Sequence, residues 1–459
     1  MQIKYQPKNG WEVIKKGEKD EVFAFCEHYM AFLDEGKTER KAAAEAVRLA
    51  KLNGFSPIEN MKSLKKGDKI YAENKEKGVL LAIIGSDTTK GANIVAAHID
   101  SPRIDFKQNP LYEDLDMTFF KTHYYGGIKK YQWTTIPLAI HGVIVKADGT
   151  KIEVTIGEHD SDPIFCITDL LPHLAEEQMK KTMKDAITGE GLNILASSIP
   201  NDDEKEKFKG ALLELLNKKY GITEEDFISA ELEAVPAHKA RDLGFDSSMI
   251  AAYGQDDRVC AYTALKAILD VNNPKKTAVC MLADKEEVGS MGNTGMQSRF
   301  FEDTIAHILS LENKNYNDLL IRKTFKNSAC LSADVGAAMD PNFKDVSETQ
   351  NAPKINYGVM LTKYTGSRGK SGSNDASAEF VGKIRKVFND EGIVWQIGEL
   401  GKVDLGGGGT VAQFIANLNI ETVDCGVPLL SMHSPLEISG KFDVYMAYKA
   451  YKVFLENNK

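Results

Sequence analysis

A short apolar run that ends in paired acidic residues constrains this chain more than any other stretch. Ala278–Ala283 is bounded by polar residues and is followed by Asp-Lys-Glu-Glu at 284–287 and by glycines at 289, 292 and 295. The run predicts a buried strand, and ligands of open α/β sheets bind beyond the carboxyl ends of strands. Adjacent carboxylates repel each other unless a cation or a proton separates them. The pair Glu286-Glu287 therefore predicts a metal ligand beside a general base, although an exposed acidic turn is the commoner explanation of an isolated pair.

Residues 104–235 differ from the rest of the chain in the pattern of predicted secondary structure. A chain of 459 residues exceeds the roughly 250–300 residues that one core usually supports, so two domains are expected. Outside this stretch, helical periodicity alternates with apolar runs, which predicts an α/β domain. Inside it, short strands separated by turns are accompanied by a predicted helix at Leu170–Thr188 and a charged helical stretch at Asn201–Lys219. We therefore predict a main α/β domain formed by 1–103 and 236–459, with a largely β domain inserted at 104–235.

Composition excludes some classes of function. The net charge of −9 and the pI of about 5.6 argue against nucleic-acid binding as the main function. The six cysteines are scattered and form no C-x-x-C pair, which fits a reducing cytosol. The first residues lack the apolar segment of a secretory signal, and no apolar run approaches the roughly 18 residues that span a membrane. We expect a cytoplasmic protein without a membrane or nucleic-acid partner.

Acidic and imidazole side chains recur where predicted strands end or where a strand passes into the next element. The set comprises His98, Asp100, Asp256, Glu286, Glu287, Asp334 and His433. Imidazole and carboxylate without thiolate suit a hydrolytic zinc, cobalt or manganese site. Two histidines with three carboxylates are too many for one tetrahedral ion that keeps an open position. They suit two ions about 3.5–4 Å apart that share a bridging carboxylate.

Two carboxylates of the set are left for other roles. Glu286, beside the predicted ligand Glu287, could take a proton from water whose pKa the ions have lowered. Asp100 lies two residues after His98 and could accept the other ring N–H, which fixes the tautomer of that histidine. A lone histidine is more often structural, and that interpretation is kept for His28, His123, His141, His159, His238 and His307.

At these residues the chain resembles the M18 family of metallo-aminopeptidases, the aspartyl-aminopeptidase-like group. The matching motifs, in family order, are Ala97-His98-Ile99-Asp100-Ser101-Pro102, Asp256-Asp257-Arg258, Glu286-Glu287-Val288-Gly289-Ser290, Ser332-Ala333-Asp334 and Met432-His433-Ser434. The resemblance implies that Asp256 bridges two metals, that His98 and Asp334 complete one site, and that Glu287 and His433 complete the other. It implies Glu286 as the general base and Asp100 as the residue that orients His98.

The resemblance also implies an architecture and an assembly. It implies a mixed-sheet, three-layer metallopeptidase domain, with an inserted dimerisation domain after the His-x-Asp motif. Family members typically form dodecamers built from dimers, with enclosed active sites.

The resemblance implies a role in substrate binding for four further residues. The segment around His173 is similar to a family segment that sends a histidine into a neighbouring active site, and a helix-start histidine is the alternative. Lys363 is similar to a substrate-pocket lysine whose ammonium would be buried, and an ordinary surface lysine is the alternative. Gly408 and Gly409 belong to a glycine-rich segment that is similar to one lining the family's substrate pocket, and a plain turn before a helix is the alternative.

Taken together, the sequence predicts a dimetal aminopeptidase that acts on peptides with a free N-terminus, with zinc as the first choice of metal and cobalt or manganese as alternatives. A dimetal deacylase of N-acylated amino acids is one rival, and a requirement for a free amine would separate the two. A non-catalytic assembly protein is another rival. The presence of all five candidate ligands and the candidate base argues against it.

Overall fold

The apolar run that precedes the acidic pair is a fully buried strand, Thr277–Ala283, inside a nine-stranded sheet. The computed structural model describes residues 3–202, 205–313, 315–366 and 368–457. Contacts within the chain divide it into a larger unit, 1–100 with 240–432 and 436–459, and a smaller unit, 101–239 with 433–435. The insertion boundaries expected from the sequence, 104 and 235, lie a few residues inside those of the smaller unit.

The nine-stranded sheet of the larger unit is mixed. Its strands, in spatial order, are Ser56–Pro57, Lys69–Glu73, Val79–Ile83, Thr277–Ala283, Ala92–His98, Ala329–Ser332, Glu421–Gly426, Val359–Thr362 and Trp395–Ile397. The fourth to seventh of these run parallel to one another, and antiparallel pairs flank them. The carboxyl ends of the four parallel strands therefore meet at one edge of the sheet.

Helices cover both faces of this sheet. Along Thr277–Ala283, residues 278, 280 and 282 belong to one apolar core and residues 279, 281 and 283 to the other, because successive strand side chains point to opposite faces. The first core includes helices Glu18–Glu35, Glu39–Leu52, Gln255–Leu269, Ala378–Asp390 and Lys441–Glu456. The second includes helices Phe300–Glu312, Asp318–Lys326 and Ala412–Ala416. The predicted three-layer arrangement with a mixed sheet is confirmed.

A second sheet of the larger unit has five short strands. In spatial order they are Arg241–Leu243, Met249–Ala252, Glu437–Gly440, Pro428–Leu430 and Gly336–Ala337. A short helix, Gly10–Val13, lies near the N-terminus of the same unit.

The smaller unit is built on a seven-stranded sheet in which every pairing is antiparallel. Its strands, in spatial order, are Lys151–Ile156, Leu138–Val145, Glu231–Pro236, Arg103–Asp114, Met117–Tyr125, Ile194–Ser197 and Cys166–Ile167. Helix Lys207–Tyr220 accompanies the sheet, and the predicted helical stretch that begins at 201 includes residues 203–204, which lie outside the described ranges. The unit is thus largely β.

The helix predicted at Leu170–Thr188 is wrong. The segment forms isolated turns instead, at Pro172–Leu174, Glu176–Met179 and Met183–Ala186. The backbone at Thr182 is extended, which interrupts the helical path. Leu170, Leu174 and Met179 are exposed, so the apolar spacing that suggests a helix does not face a core within this unit.

Within the described ranges, no helix has the length and apolar character needed to cross a bilayer.

Candidate metal centre

Three neighbouring parallel strands deliver the central groups of the site. His98 is the last residue of strand Ala92–His98, and it pairs in register with Ala283, three residues before Glu286. Asp334 follows strand Ala329–Ser332, which lies on the other side of the histidine strand. Because these strands are parallel, their carboxyl ends place the imidazole between the acidic pair and Asp334.

The Nε2 atom of His98 faces three carboxylates. It lies 3.3 Å from an Oδ1 atom of Asp256, and 3.9 Å from both Glu286 Oε2 and Asp334 Oδ1. Ligand atoms of His98, Asp256 and Asp334 all lie within 4.8 Å of one another, and the same holds for His98, Glu286 and Glu287. The structure therefore brings four of the sequence-predicted carboxylates, those of Asp256, Glu286, Glu287 and Asp334, close to the His98 imidazole.

Asp256 reaches this cluster from the start of helix Gln255–Leu269. Its backbone and that of Asp257 leave the helical conformation, with ψ angles of 106° and 28°, and the peptide bond between them is cis. The Asp256 main chain is buried and its N–H donates to Glu437 Oε2 at 3.1 Å. The regular helix therefore begins after Asp257, and an irregular turn before it carries the ligand candidate.

Asp100 forms hydrogen bonds with His98 and with the main chain of the acidic pair Glu286-Glu287. Its Oδ1 atom accepts the ring N–H of His98 Nδ1 at 3.2 Å, the contact that the spacing predicts. The same carboxylate also accepts the main-chain N–H groups of Glu286, at 3.1 Å, and of Glu287, at 3.2 Å. With Nδ1 protonated, Nε2 of the neutral ring is the nitrogen that can bind a metal.

Asp257 is a part of the site that the sequence reasoning missed. It is fully buried, and its Oδ2 atom accepts the main-chain N–H of His98 at 3.3 Å. Burial raises the pKa of its carboxyl well above the usual range. Its place directly after a predicted ligand in an Asp-Asp pair is the one sequence signal that could have identified it.

The charges of this cluster fit a bound cation. Burial, followed by the charge of Asp257, raises the pKa of Asp334 well above the usual range. Burial acts to lower the pKa of His98, but hydrogen bonds to Asp100 and Asp256 outweigh it and raise that pKa. Several carboxylates crowded around one imidazole repel one another, and a divalent cation among them would relieve the repulsion. The donor set, nitrogen and oxygen without sulfur, suits zinc, cobalt or manganese.

His433 belongs by its contacts to the smaller unit. It follows strand Pro428–Leu430 and has a left-handed backbone, with φ of 64°. Its Nδ1 atom donates to the main-chain oxygen of Gly127 at 2.9 Å. This hydrogen bond fixes the ring and makes Nε2 the nitrogen available to a metal.

The four candidates for substrate binding lie on exposed segments. The expectation of a buried ammonium at Lys363 is wrong, because its side chain is 43% exposed and pairs with Asp375 at 2.8 Å. His173 lies in the exposed turn Pro172–Leu174. Gly408 accepts the main-chain N–H of Gly366 at 2.8 Å, and Gly409 precedes a helix that begins at residue 412.

Comparisons with known proteins identify relatives along the whole chain. The family profile described as "Aminopeptidase I zinc metalloprotease (M18)" matches residues 32–455. A probable M18 family aminopeptidase 1 from Clostridium acetobutylicum is 52% identical over 457 residues, covering 98% of each chain. A protein of the same name from Thermotoga maritima is 48% identical over 455 residues, covering 99% of this chain and 100% of its own.

Solved structures show the same fold. An M18 aminopeptidase from Thermotoga maritima superposes with a TM-score of 0.96 at 48% identity, covering 99% of this chain and 100% of its own. Aminopeptidase I from Clostridium acetobutylicum gives a TM-score of 0.93 at 49% identity, with the same coverage. A more distant structure, a dodecamer from S. cerevisiae, gives 0.75 at 21% identity, covering 94% of this chain and 96% of its own. The distant likeness supports the fold alone.

Proposed function

Because this chain belongs to the M18 family of zinc metalloprotease aminopeptidases, we propose that the cluster around His98 is its active site. The chain is an aminopeptidase, a hydrolase that releases N-terminal amino acids from peptides. Neither rival function, a deacylase or a non-catalytic assembly protein, finds support among the relatives. The observation that carries the assignment of the site is the convergence of buried carboxylates on His98 Nε2.

The proposed centre holds two divalent ions, with zinc as the first choice and cobalt or manganese as alternatives. Asp256 is proposed as the bridging ligand, and its 3.3 Å approach to His98 Nε2 supports this role. His98 and Asp334 would complete one site, and Glu287 and His433 the other. When bound, such ions supply Lewis acidity toward the peptide carbonyl and make water a stronger acid.

Glu286 is proposed as the general base. Its main-chain N–H donates a hydrogen bond to Asp100. This bond fixes the backbone from which the Glu286 side chain extends toward His98. Glu286 would take the proton of the attacking water and pass it to the leaving amine when the peptide bond breaks. Asp100 would keep His98 in the tautomer that presents Nε2 to the metal.

Further proposals concern substrate contacts, assembly and location. Lys363, His173, Gly408 and Gly409 are proposed to contact the substrate in the assembled enzyme. The assembly is proposed to be a homo-oligomer, specifically a dodecamer built from dimers through the smaller unit. All six cysteines, each in a described part of the chain, are free thiols, which supports a cytoplasmic location.

Glutamine substitutions test the two roles within the acidic pair. Glu286→Gln is expected to lower kcat by about 10²- to 10⁴-fold while both ions remain bound, because it removes a proton acceptor and no ligand. Glu287→Gln is expected to reduce the bound metal as well. Turnover of a leucine p-nitroanilide and metal content by mass spectrometry would be measured for both variants.

Glu302→Gln is the matched control, because Glu302 lies on helix Phe300–Glu312 and pairs with Arg299 at 2.7 Å on the surface. It should equal the wild type in both measurements. Full activity of Glu286→Gln would remove that residue from the mechanism.

A further inference from the structure

The main chain of Asp256 is held by a second buried carboxylate. The first N–H groups of a helix have no acceptor within the helix, and the N–H of Asp256 donates instead to Glu437 Oε2 at 3.1 Å. Glu437 is 1% exposed and is the first residue of strand Glu437–Gly440. The carboxylate of Glu437 thus supplies the acceptor that the helix lacks for the N–H of Asp256.

Glu437 is itself fixed by the residue that precedes Asp256. Gln255 is fully buried, and its Nε2 atom donates to the main-chain oxygens of Glu437, at 2.8 Å, and of Ile250, at 3.2 Å. Its Oε1 atom accepts the hydroxyls of Ser439, at 2.6 Å, and of Tyr29, at 3.2 Å. All hydrogen-bonding positions of this amide are used. The Gln255 side chain therefore connects the start of helix Gln255–Leu269 to strand Glu437–Gly440 by hydrogen bonds.

Strand pairing also fixes the position of Glu437 relative to the segment that leads to Asp256. Ala252, four residues before Asp256, pairs in register with Glu437 across the five-stranded sheet. The carboxylate of Glu437 and the main chain of Asp256 therefore approach each other from two elements whose relative position is fixed by backbone hydrogen bonds.

We propose that Glu437 is a positioning residue for the dimetal centre, which aims the carboxylate of Asp256 by accepting its main-chain N–H. This inference rests on the proposed role of Asp256 as a metal ligand. The proposed role requires that the side chain of Glu437 be long enough to place an acceptor oxygen at the N–H of Asp256. A shorter side chain would leave this N–H without its acceptor and the Asp256 backbone free to turn.

Substitutions that separate reach from charge test the proposal. Glu437→Gln keeps the reach and an acceptor oxygen but loses the charge, and it should bind zinc more tightly than variants in which the acceptor is withdrawn or removed. Glu437→Asp keeps the charge but withdraws the acceptor by one methylene, and Glu437→Met removes the acceptor. Both should bind zinc about 10- to 100-fold more weakly. Zinc affinity would be measured by competition with a chromophoric chelator, with the thermal midpoint of each apoprotein in parallel.

Asp443 offers a matched control. It is also a buried carboxylate, and it accepts main-chain N–H groups of Asn356 and Gly358 at 2.6 Å each. Asp443→Asn should lower the thermal midpoint without changing zinc affinity. If Glu437→Met does not fold, Glu437→Asp carries the test. Wild-type zinc affinity in Glu437→Asp, or zinc binding in Glu437→Gln as weak as in Glu437→Asp, would overturn the proposal. A wild-type protein that binds no divalent metal would overturn the proposed function instead.

Discussion

Asp100 joins two parts of the chain that are far apart in sequence. Its contact with His98 follows from a spacing of two residues and can be predicted from the sequence. Its contacts with the main chains of Glu286 and Glu287 span 186 and 187 positions, and they arise only because two strands pair in register. Spacing thus reveals the local partner of a ligand, and only the fold reveals the partners that sheet pairing supplies.

Asp424 is a buried carboxyl whose ionisation opposes folding. It lies in strand Glu421–Gly426 and accepts the hydroxyl of Thr410 at 2.7 Å. Burial raises its pKa to about 6, above the roughly 3.9 of an unfolded chain. The favourable contribution of the protonated group is complete below about pH 4 and is lost as the pH rises through about 6. Relative to Asp424→Asn, the wild-type free energy of unfolding should fall by on the order of 2–3 kcal/mol across that window.

Urea unfolding of both proteins between pH 4 and pH 7 measures this difference directly. Changes in all other ionisable groups are shared by the two proteins, so they cancel in the comparison. A difference that stays constant across the window would show that Asp424 does not titrate with a raised pKa.

The buried strands were the elements most readily predicted. The run at 278–283 forms a strand in which every residue is buried, as its lack of polar residues indicates. The segment Leu170–Thr188 shows the limit of the same reasoning. Apolar residues at helical spacing predict a helix only when a core receives them, and the side chains of Leu170 and Met183 are exposed. Periodicity alone does not contain that information.

Two neighbouring elements approach so closely at Gly426 that only glycine fits. A Cβ atom there would lie 1.8 Å from the main-chain oxygen of Asp334. Gly426→Ala must therefore displace Asp334 or its strand. We expect it to lower the free energy of unfolding by about 1–3 kcal/mol and to weaken zinc binding, measured by chemical unfolding and by zinc competition.

Gly382→Ala is the control for this substitution. Gly382 lies within helix Ala378–Asp390, and no atom lies within 4 Å of a Cβ placed there. The substitution should raise stability by about 0.5–1 kcal/mol, because alanine favours the helix. A Gly426→Ala protein as stable as the wild type, with unchanged zinc binding, would contradict the close approach.

The resemblance to the M18 family extends over the molecule as a whole. The matched residues, 32–455, include parts of both units, and the solved relative from Thermotoga maritima is covered over its full length. The aminopeptidase activity is therefore assigned to the complete chain and not to one of its units. The smaller unit is built on an antiparallel sheet, and the inserted domain with its role in dimerisation stays a prediction.

Metal-dependent cleavage of substrates with a free amine is the sharpest test of the aminopeptidase assignment. Amino-acid p-nitroanilides, free and N-acetylated, would be offered to the wild-type protein after chelation and after zinc, cobalt or manganese is added back. We predict cleavage of the free-amine substrates alone, lost on chelation and restored by metal, because the proposed centre provides both the Lewis acid and the ligands for it. Cleavage that survives chelation, equal cleavage of the N-acetylated substrates, or no cleavage with any of the metals would show that this chain is not a metal-dependent aminopeptidase.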